Sequence, residues 1–183
     1  MRNLTLSAVL AFAAAPAFAT GLEIDVSGEA SGTIVVDLFE DVAPQHVARI
    51  VQLATEGSYD NVVFHRVIDG FMAQTGDVQF GKAGGDTSMA GTGGSSLEDL
   101  PAEFSDRPFA RGAVGMARSS DPDSANSQFF FMFADAPHLN NQYTVVGEVT
   151  EGLDVLDAIK RGDGANGEVS GAPDLMADVR VTE

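Results

Sequence analysis

The sequence predicts a mainly β protein, a closed eight-stranded antiparallel barrel capped by two α-helices. Eight short segments have the alternation or the β-branched composition of strands, and each is bounded by Gly, Asp or Pro. Only two segments show the period of an amphipathic helix. Many short strands with few helices favour a closed barrel, because closure leaves no unpaired strand edge.

Two strands precede the first helix. Residues 22–26 alternate apolar and polar side chains, as a half-buried strand does, and residues 32–39 are rich in Val and Ile. Pro44 begins the helix, because its fixed backbone angle suits a first helical turn, and Gly57 ends it. The apolar side chains that follow the helical period are Val47, Ile50, Val51 and Ala54.

The other six strands lie after the first helix, with a second helix before the last of them. The helix covers residues 153–161, with Lys160 and Arg161 in its last turn and Gly162 as its stop. The Gly-rich segment 81–96 is a loop inside one domain. The six strands are predicted over residues 62–68, 71–76, 113–118, 128–133, 144–150 and 179–182.

Residues 1–19 have the pattern of a signal peptide. Arg2 gives a basic start, an apolar run covers residues 4–15, and Ala17-Phe18-Ala19 is a small-x-small cleavage site. The apolar run is shorter than the roughly 20 residues that cross a bilayer. We therefore expect cleavage after Ala19, a domain over residues 20–183, and export to the periplasm or secretion from the cell.

Composition limits the partners. The formal net charge is −17, which repels phosphate backbones and anionic lipids, so we expect no nucleic acid and no membrane insertion once the signal peptide is removed. The chain has no Cys and therefore no disulfide. Its three histidines, His46, His65 and His138, form no metal motif. We expect a monomer without metal or cofactor, and we expect His46 at the surface.

Two other motifs are incomplete. Residues 76–82 fit the spacing of a phosphate-binding loop, but Ala83 stands where that loop needs Ser or Thr. Residues 121–126 are rich in Asp and Asn, but they lack the Gly and the closing Glu of a calcium loop. Neither segment therefore predicts a ligand site.

Residues 64–77, FHRVIDGFMAQTGD, are the most informative segment of the chain. The hairpin turn signal Asp69-Gly70 brings Arg66 and Gln74 to similar heights on neighbouring strands, while the sequence leaves the register of the two strands open. Alternation places His65 on the opposite face, where we expect a hydrogen-bonded structural histidine. No paired base and nucleophile is visible, so the segment suits a reaction that needs a fixed charge beside an apolar wall.

Six further segments accompany this one: residues 91–94 (GTGG), 103–104 (EF), Phe109, 115–118 (GMAR), 127–130 (SQFF) and 143–147 (YTVVG). With them, the chain resembles the cyclophilin-type peptidyl-prolyl isomerases, of the exported bacterial kind, over residues 22–183. The resemblance implies an eight-stranded barrel with two capping helices, in agreement with the strand count.

The resemblance also implies roles for individual residues. Arg66 corresponds to the catalytic arginine and Gln74 to its hydrogen-bonding partner. Gln128 would be a polar neighbour of the groove, and Ala117-Arg118-Ser119 would supply the backbone that pairs with the peptide. The residues expected to line the proline pocket are Phe71, Met72, Phe130 and Leu139.

Two residues depart from the best-known relatives. His138 stands where those relatives have Trp, which should weaken binding of the cyclic-peptide inhibitor more than turnover. Tyr143 stands where they have His and keeps an aromatic wall on the pocket. Both belong to the predicted substrate-binding set.

The function implied is cis/trans isomerisation of X-Pro bonds in exported polypeptides, which assists their folding. One alternative is a peptide-binding chaperone or scaffold of the same fold with little turnover. A more distant alternative is an exported hydrolase that uses His65, Asp77 and a serine. The hydrolase lacks any local motif, and a pure binding protein has no need of Arg66.

Overall fold

The structure, a computed structural model, describes residues 20–183 as one antiparallel sheet of nine strands with two α-helices. The strands lie in the order β3-β9-β1-β2-β8-β6-β7-β5-β4. The helices are α1 (Pro44–Thr55) and α2 (Leu153–Ala158). The strands are β1 (Gly21–Ser27), β2 (Gly32–Leu38), β3 (Val62–Val63), β4 (Arg66–Ile68), β5 (Met72–Thr75), β6 (Ala113–Met116), β7 (Phe129–Met132), β8 (Val145–Glu151) and β9 (Leu175–Thr182).

The mainly β class with two helices is confirmed, but the closed eight-stranded barrel is wrong. Each of the eight predicted strand segments overlaps an observed strand, and residues 62–68 contain two, β3 and β4. The curled sheet ends at these two strands, so it forms a half-barrel. The chain interrupts the predicted strand at Phe64 and His65, between β3 and β4.

The segment between α2 and β9 covers the outer edge of β4. The Val67 N–H donates to the Gly167 carbonyl at 2.7 Å, and the Val67 carbonyl accepts from the Gly162 N–H at 2.8 Å. The His65 carbonyl accepts from the Val169 N–H at 3.1 Å. A loop therefore satisfies the edge groups that barrel closure would otherwise pair.

Helix α1 begins at Pro44 as predicted, but a distant carboxylate caps it. The capping position, Ala43, has no side-chain acceptor, and Glu103 accepts the N–H groups of Gln45 and His46, each at 3.1 Å. The His46 Nδ1 atom also lies 2.6 Å from the Glu103 carboxylate. His46 is fully buried by this arrangement, so its predicted surface position is wrong.

Helix α2 (Leu153–Ala158) is three residues shorter than predicted. Ile159 has an extended backbone, with φ −56° and ψ 131°. The next N–H group, that of Lys160, donates to the buried carboxylate of Asp174 at 2.7 Å and not to a helical carbonyl. Lys160 and Arg161 therefore lie beyond the last turn of the helix.

The sheet carries an apolar cluster on each face. The cluster on the helix side contains Phe129 and Phe131 of β7, while Phe130 and Met132 of the same strand belong to the other cluster. Successive residues of a strand point to opposite faces, which accounts for the division. The cluster away from the helices is formed by Phe39, Met72, Phe109, Ala113, Phe130, Met132, Ala136, Leu139 and Val145.

Residues 1–19, the predicted signal peptide, lie outside the described residues. The signal peptide, its cleavage after Ala19 and the domain boundary therefore stay predictions. Within residues 20–183, neither helix combines the length and the apolar character needed to cross a membrane.

The cap on α1 predicts a pH-dependent contribution to stability. Burial raises the pKa of Glu103, but hydrogen bonds from His46 and Gln45 outweigh burial and hold the pKa below its ordinary value of 4.5. A lowered carboxyl pKa stabilises the fold above the ordinary value, and this stabilisation is lost as the pH falls through the lowered pKa. We expect Glu103→Gln to cost roughly 1 kcal/mol at neutral pH.

Urea unfolding at several pH values measures this cost. The difference between the wild type and Glu103→Gln should shrink below about pH 4.5, the ordinary carboxyl value. Glu98→Gln, which changes an exposed glutamate, is the control and should leave the free energy of unfolding nearly unchanged. An equal deficit for Glu103→Gln at neutral and acid pH would contradict the expectation.

Candidate active site

The sheet register aligns Arg66, Gln74 and Phe130 in one row. Arg66 on β4 lies opposite Gln74 on β5, and Gln74 lies opposite Phe130 on β7. Residues directly opposite on antiparallel strands point to the same face, here the face away from the helices. The expected proximity of Arg66 and Gln74 is confirmed, and the turn at Asp69-Gly70 produces it.

Contacts on two sides hold the Arg66 guanidinium. Its Nη1 donates to the Gln74 Oε1 at 3.1 Å, and its Nε donates to the Asn166 carbonyl at 2.9 Å. The Met72 sulfur lies 3.9 Å from Nη1. The Nη2 group forms no hydrogen bond with residues 20–183, so its N–H donors remain available to a ligand.

Two amide side chains continue the hydrogen bonding away from Arg66. Gln74 donates through Nε2 to the Gln128 Oε1 at 2.9 Å. Gln128 in turn donates through Nε2 to the Gly93 carbonyl at 2.8 Å. Each amide therefore uses its oxygen toward Arg66 and its nitrogen away from it, which defines the orientation of both.

An apolar pocket of about 170 Å³ lies beside Arg66. Its deepest side chains, Met72, Phe130 and Leu139, are 2%, 5% and 8% exposed. This volume is below the roughly 300–1,000 Å³ of pockets for drug-sized ligands, so it suits one small ring. The pocket is lined by Arg66, Phe71, Met72, Gln74, Ala117, Arg118, Phe130, Leu139 and Tyr143.

Aromatic contacts fix the wall of the pocket. Phe130 stacks on Phe109 at 5.7 Å between ring centroids and meets Tyr143 edge-on at 5.8 Å. Gly115 permits this stack, because a Cβ there would lie 2.5 Å from the Phe109 ring and 2.7 Å from the Phe130 ring. The Arg118 guanidinium lies 4.4 Å from the Tyr143 ring centroid, which places its charge at the rim.

Three of the predicted substrate-binding residues lie beside the pocket and not in its lining. His138 stacks on Phe71 at 5.8 Å between ring centroids. Ser119 and Gln128 line an adjoining polar cavity of about 550 Å³, which shares Gln74, Ala117 and Arg118 with the apolar pocket.

The predicted peptide-pairing backbone is partly occupied by internal bonds. The Ala117 N–H donates to the Gln128 carbonyl at 2.9 Å, and the Ser119 N–H donates to the Ser124 hydroxyl at 2.9 Å. A peptide strand at this edge would therefore use the backbone of Arg118, which lies between these two residues.

Sequence reasoning missed Asn166 and Phe109 as parts of the site. Asn166 contributes its backbone carbonyl, and side-chain identity gives no signal for such a contact. Phe109 enters the sequence prediction only through the resemblance, although it supports Phe130 from behind. Asp77, which the sequence suggests only for the hydrolase alternative, is fully buried.

His65 is a buried histidine without the expected hydrogen bonds. It is 8% exposed, and neither ring nitrogen has a partner within residues 20–183. Burial is the main cause that lowers the pKa of His65 to about 4; the Arg66 charge acts in the same direction, and the Asp77 charge opposes both. The ring is therefore neutral at physiological pH.

The family profile and the relatives that match this chain all describe one family of proteins. The family profile "Cyclophilin type peptidyl-prolyl cis-trans isomerase/CLD" matches residues 22–183. A "Probable peptidyl-prolyl cis-trans isomerase" of Brucella suis is 58% identical over 152 residues, which cover 82% of this chain and 78% of the relative. A "Peptidyl-prolyl cis-trans isomerase" of Helicobacter pylori is 43% identical over 136 residues, which cover 72% and 77%.

Two solved structures share the fold. A Cryptosporidium parvum cyclophilin, crystallised in the presence of the dipeptide Ala-Pro, aligns with a TM-score of 0.74 and 24% identity over 89% of this chain and 99% of that one. A cyclophilin from Hirschia baltica aligns with a TM-score of 0.70 and 24% identity over 87% and 73%.

The buried His65 predicts a loss of stability in mild acid. The pKa of His65, about 4, lies below the ordinary value of 6.5, so the unfolded chain binds more protons between these values. The free energy of unfolding should fall as the pH falls from 6.5 toward 4, and His65→Gln should lack this component. A titration of the His65 ring by NMR with a midpoint near 6.5 would contradict the assignment.

Proposed function

The chain belongs to the cyclophilin-type peptidyl-prolyl cis-trans isomerase family, and we propose that Arg66 catalyses isomerisation of X-Pro bonds in exported polypeptides. The chain is an enzyme of this isomerase class. The observation that carries the proposal is a guanidinium held by Gln74 and Asn166 at the mouth of a small apolar pocket.

The chemistry needs a fixed positive charge and no proton transfer. Amide resonance holds the prolyl bond planar against a barrier of about 18–20 kcal/mol. Resonance is lost in the twisted state, and the prolyl nitrogen gains a localised lone pair. A guanidinium that donates to this lone pair stabilises the twisted state and not the planar one, which is the condition for catalysis. A guanidinium group carries its charge without proton transfer to or from the substrate.

The pocket beside Arg66 provides the second requirement, a place to hold the proline ring. Met72, Phe130 and Leu139 form a buried apolar floor that excludes water from one side of the bond. Exclusion of water strengthens the field of the guanidinium at the prolyl nitrogen. The Cryptosporidium parvum structure obtained in the presence of Ala-Pro supports a substrate that contains proline.

The residues around the pocket hold the rest of the peptide. Phe71, Tyr143 and His138 form the aromatic rim, and Arg118 offers its backbone to the peptide chain. Gln74 holds the Arg66 guanidinium in the orientation in which it faces the prolyl nitrogen, and Gln128 holds Gln74 through a hydrogen bond. The polar cavity with Ser119 and Gln128 receives residues next to the proline.

A chaperone with little turnover is the alternative, and the Arg66 contacts favour the enzyme. Binding a proline ring needs only the apolar floor. The guanidinium is partly desolvated, and two hydrogen bonds orient it beside the floor. Such an arrangement is expected where charge stabilisation in the twisted state has been selected.

Arg66→Ala should lower kcat/KM by roughly 100- to 1,000-fold, as removal of one preorganised donor does. The floor of the pocket is unchanged, so affinity for an Ala-Pro peptide should fall far less than the exchange rate. NMR exchange spectroscopy and a protease-coupled assay measure the exchange rate, and titration of the enzyme with the peptide measures the affinity.

The exchange rate of the wild type should be flat between about pH 6 and 9, because no group titrates in the mechanism.

Arg111→Ala is the matched control. Arg111 is an exposed arginine paired with Asp157 and lies outside the site, so its loss should leave the exchange rate within twofold. A loss below threefold for Arg66→Ala would remove Arg66 from the mechanism. A bell-shaped pH profile would indicate acid–base chemistry.

We also propose that residues 1–19 direct the protein out of the cytoplasm. The full chain expressed in a Gram-negative host should appear in the periplasmic fraction with Thr20 at its N-terminus, as judged by mass spectrometry. A chain that begins at Thr20 behind a new initiator Met should stay in the cytoplasm. Recovery of the uncleaved full chain from the cytoplasm would contradict export.

A further inference from the structure

Asp77 is a fully buried carboxylate that accepts four backbone hydrogen bonds. Its Oδ1 accepts from the N–H groups of Gln79 and Phe80 at 3.0 and 2.9 Å. Its Oδ2 accepts from those of Gly91 and Gly93 at 2.8 and 2.9 Å. No Lys or Arg within residues 20–183 forms an ion pair with it, so backbone N–H groups alone satisfy the charge.

The loop approaches this carboxylate too closely for any side chain at Gly93. A Cβ on Gly93 would lie 2.7 Å from the Asp77 Oδ1 and 2.7 Å from the Phe80 ring. Gly93 is thus bound at both ends of its backbone: the N–H donates to Asp77, and the carbonyl accepts from Gln128 at 2.8 Å. The position of this carbonyl therefore depends on Asp77.

We propose that Asp77 is a positioning residue for the catalytic guanidinium, an inference that rests on the proposed role of Arg66. Arg66 donates to Gln74, Gln74 to Gln128, Gln128 to Gly93 and Gly93 to Asp77. The first three bonds run in one direction, from Arg66 to the Gly93 carbonyl. The Gly93 N–H and the Gly93 carbonyl belong to different peptide groups, so Asp77 acts by fixing the position of the Gly93 backbone, which in turn fixes the acceptor for Gln128.

The direction of this chain decides which group of Gln74 meets Arg66. With the Gly93 carbonyl in place, the Gln128 nitrogen has an acceptor, and its oxygen is left to accept from Gln74. If the carbonyl moved, Gln128 could turn over and the Gln74 amide could follow. Gln74 would then present N–H donors to the Arg66 donors, and the guanidinium would lose its orientation.

Asp77→Asn tests the proposal because it keeps the shape of the side chain and replaces one acceptor by an N–H donor. We expect kcat/KM to fall roughly 2- to 30-fold, the range of coupling carried through such networks. The loss should appear in kcat, while the affinity for an Ala-Pro peptide should change by less than twofold. A fall in affinity with kcat unchanged would overturn the proposal.

Asp174→Asn is the matched control. Asp174 is also a buried carboxylate that accepts backbone N–H groups, those of Ala30 at 3.0 Å and Lys160 at 2.7 Å, and it lies outside the chain of bonds to Arg66. It should lose stability in urea unfolding and keep its kcat within twofold. Equal losses of kcat in Asp77→Asn and Asp174→Asn would reduce the effect to stability and overturn the proposal.

A double-mutant cycle with Gln128→Ala isolates the coupling. Because both residues act through the same chain, the combined loss in Asp77→Asn with Gln128→Ala should be smaller than the product of the single losses. In the wild type, NMR should detect scalar coupling across the hydrogen bond from the Gln128 amide to the Gly93 carbonyl. Absence of this coupling would overturn the proposal even if Asp77→Asn does not fold. If Asp77→Asn folds, multiplicative losses in the double variant would overturn it as well.

The Arg66→Ala measurement separates this proposal from the function on which it rests. If Arg66→Ala abolishes catalysis while Asp77→Asn keeps the wild-type kcat, only the positioning role fails. If Arg66→Ala retains nearly full activity, the catalytic assignment itself fails, and the positioning role fails with it.

Discussion

The site depends on how the Arg66 guanidinium is held: it is partly removed from water, and hydrogen bonds fix its plane. Gln74 and the Asn166 carbonyl orient Arg66 through two hydrogen bonds, and Met72 lies against it. An arginine with this many constraints loses little further freedom when substrate binds. Its donors are therefore in place before the prolyl bond twists, which is how preorganised charge lowers a barrier.

The two faces of the sheet have different roles: one carries the main hydrophobic core, and the other carries the candidate active site. The face with the helices carries the larger apolar cluster, and the opposite face carries the smaller cluster that forms the floor of the pocket. Strand β7 belongs to both, because Phe129 and Phe131 point one way and Phe130 the other. The pocket is therefore built on a rigid strand, and loops supply only its rim and the contacts that orient Arg66.

The site was more predictable than the closure of the sheet. The turn at Asp69-Gly70 is a local signal, so the sequence predicts Arg66 and Gln74 at similar heights on neighbouring strands, and the structure supplies the register that pairs them. The edge of β4 is covered by a loop that lies far along the chain, as the bond between Arg66 and Asn166, 100 residues apart, illustrates, and no local pattern encodes such contacts. The burial of His46 has the same cause, because Glu103 comes from a distant segment.

A crystal structure with an Ala-Pro peptide bound would show whether Arg66 acts on the prolyl bond. We expect the proline ring against Met72, Phe130 and Leu139, with an Arg66 donor within about 3 Å of the prolyl nitrogen or of the carbonyl oxygen next to it. A ring bound outside this pocket, or a guanidinium turned toward solvent with the ring in place, would contradict the account.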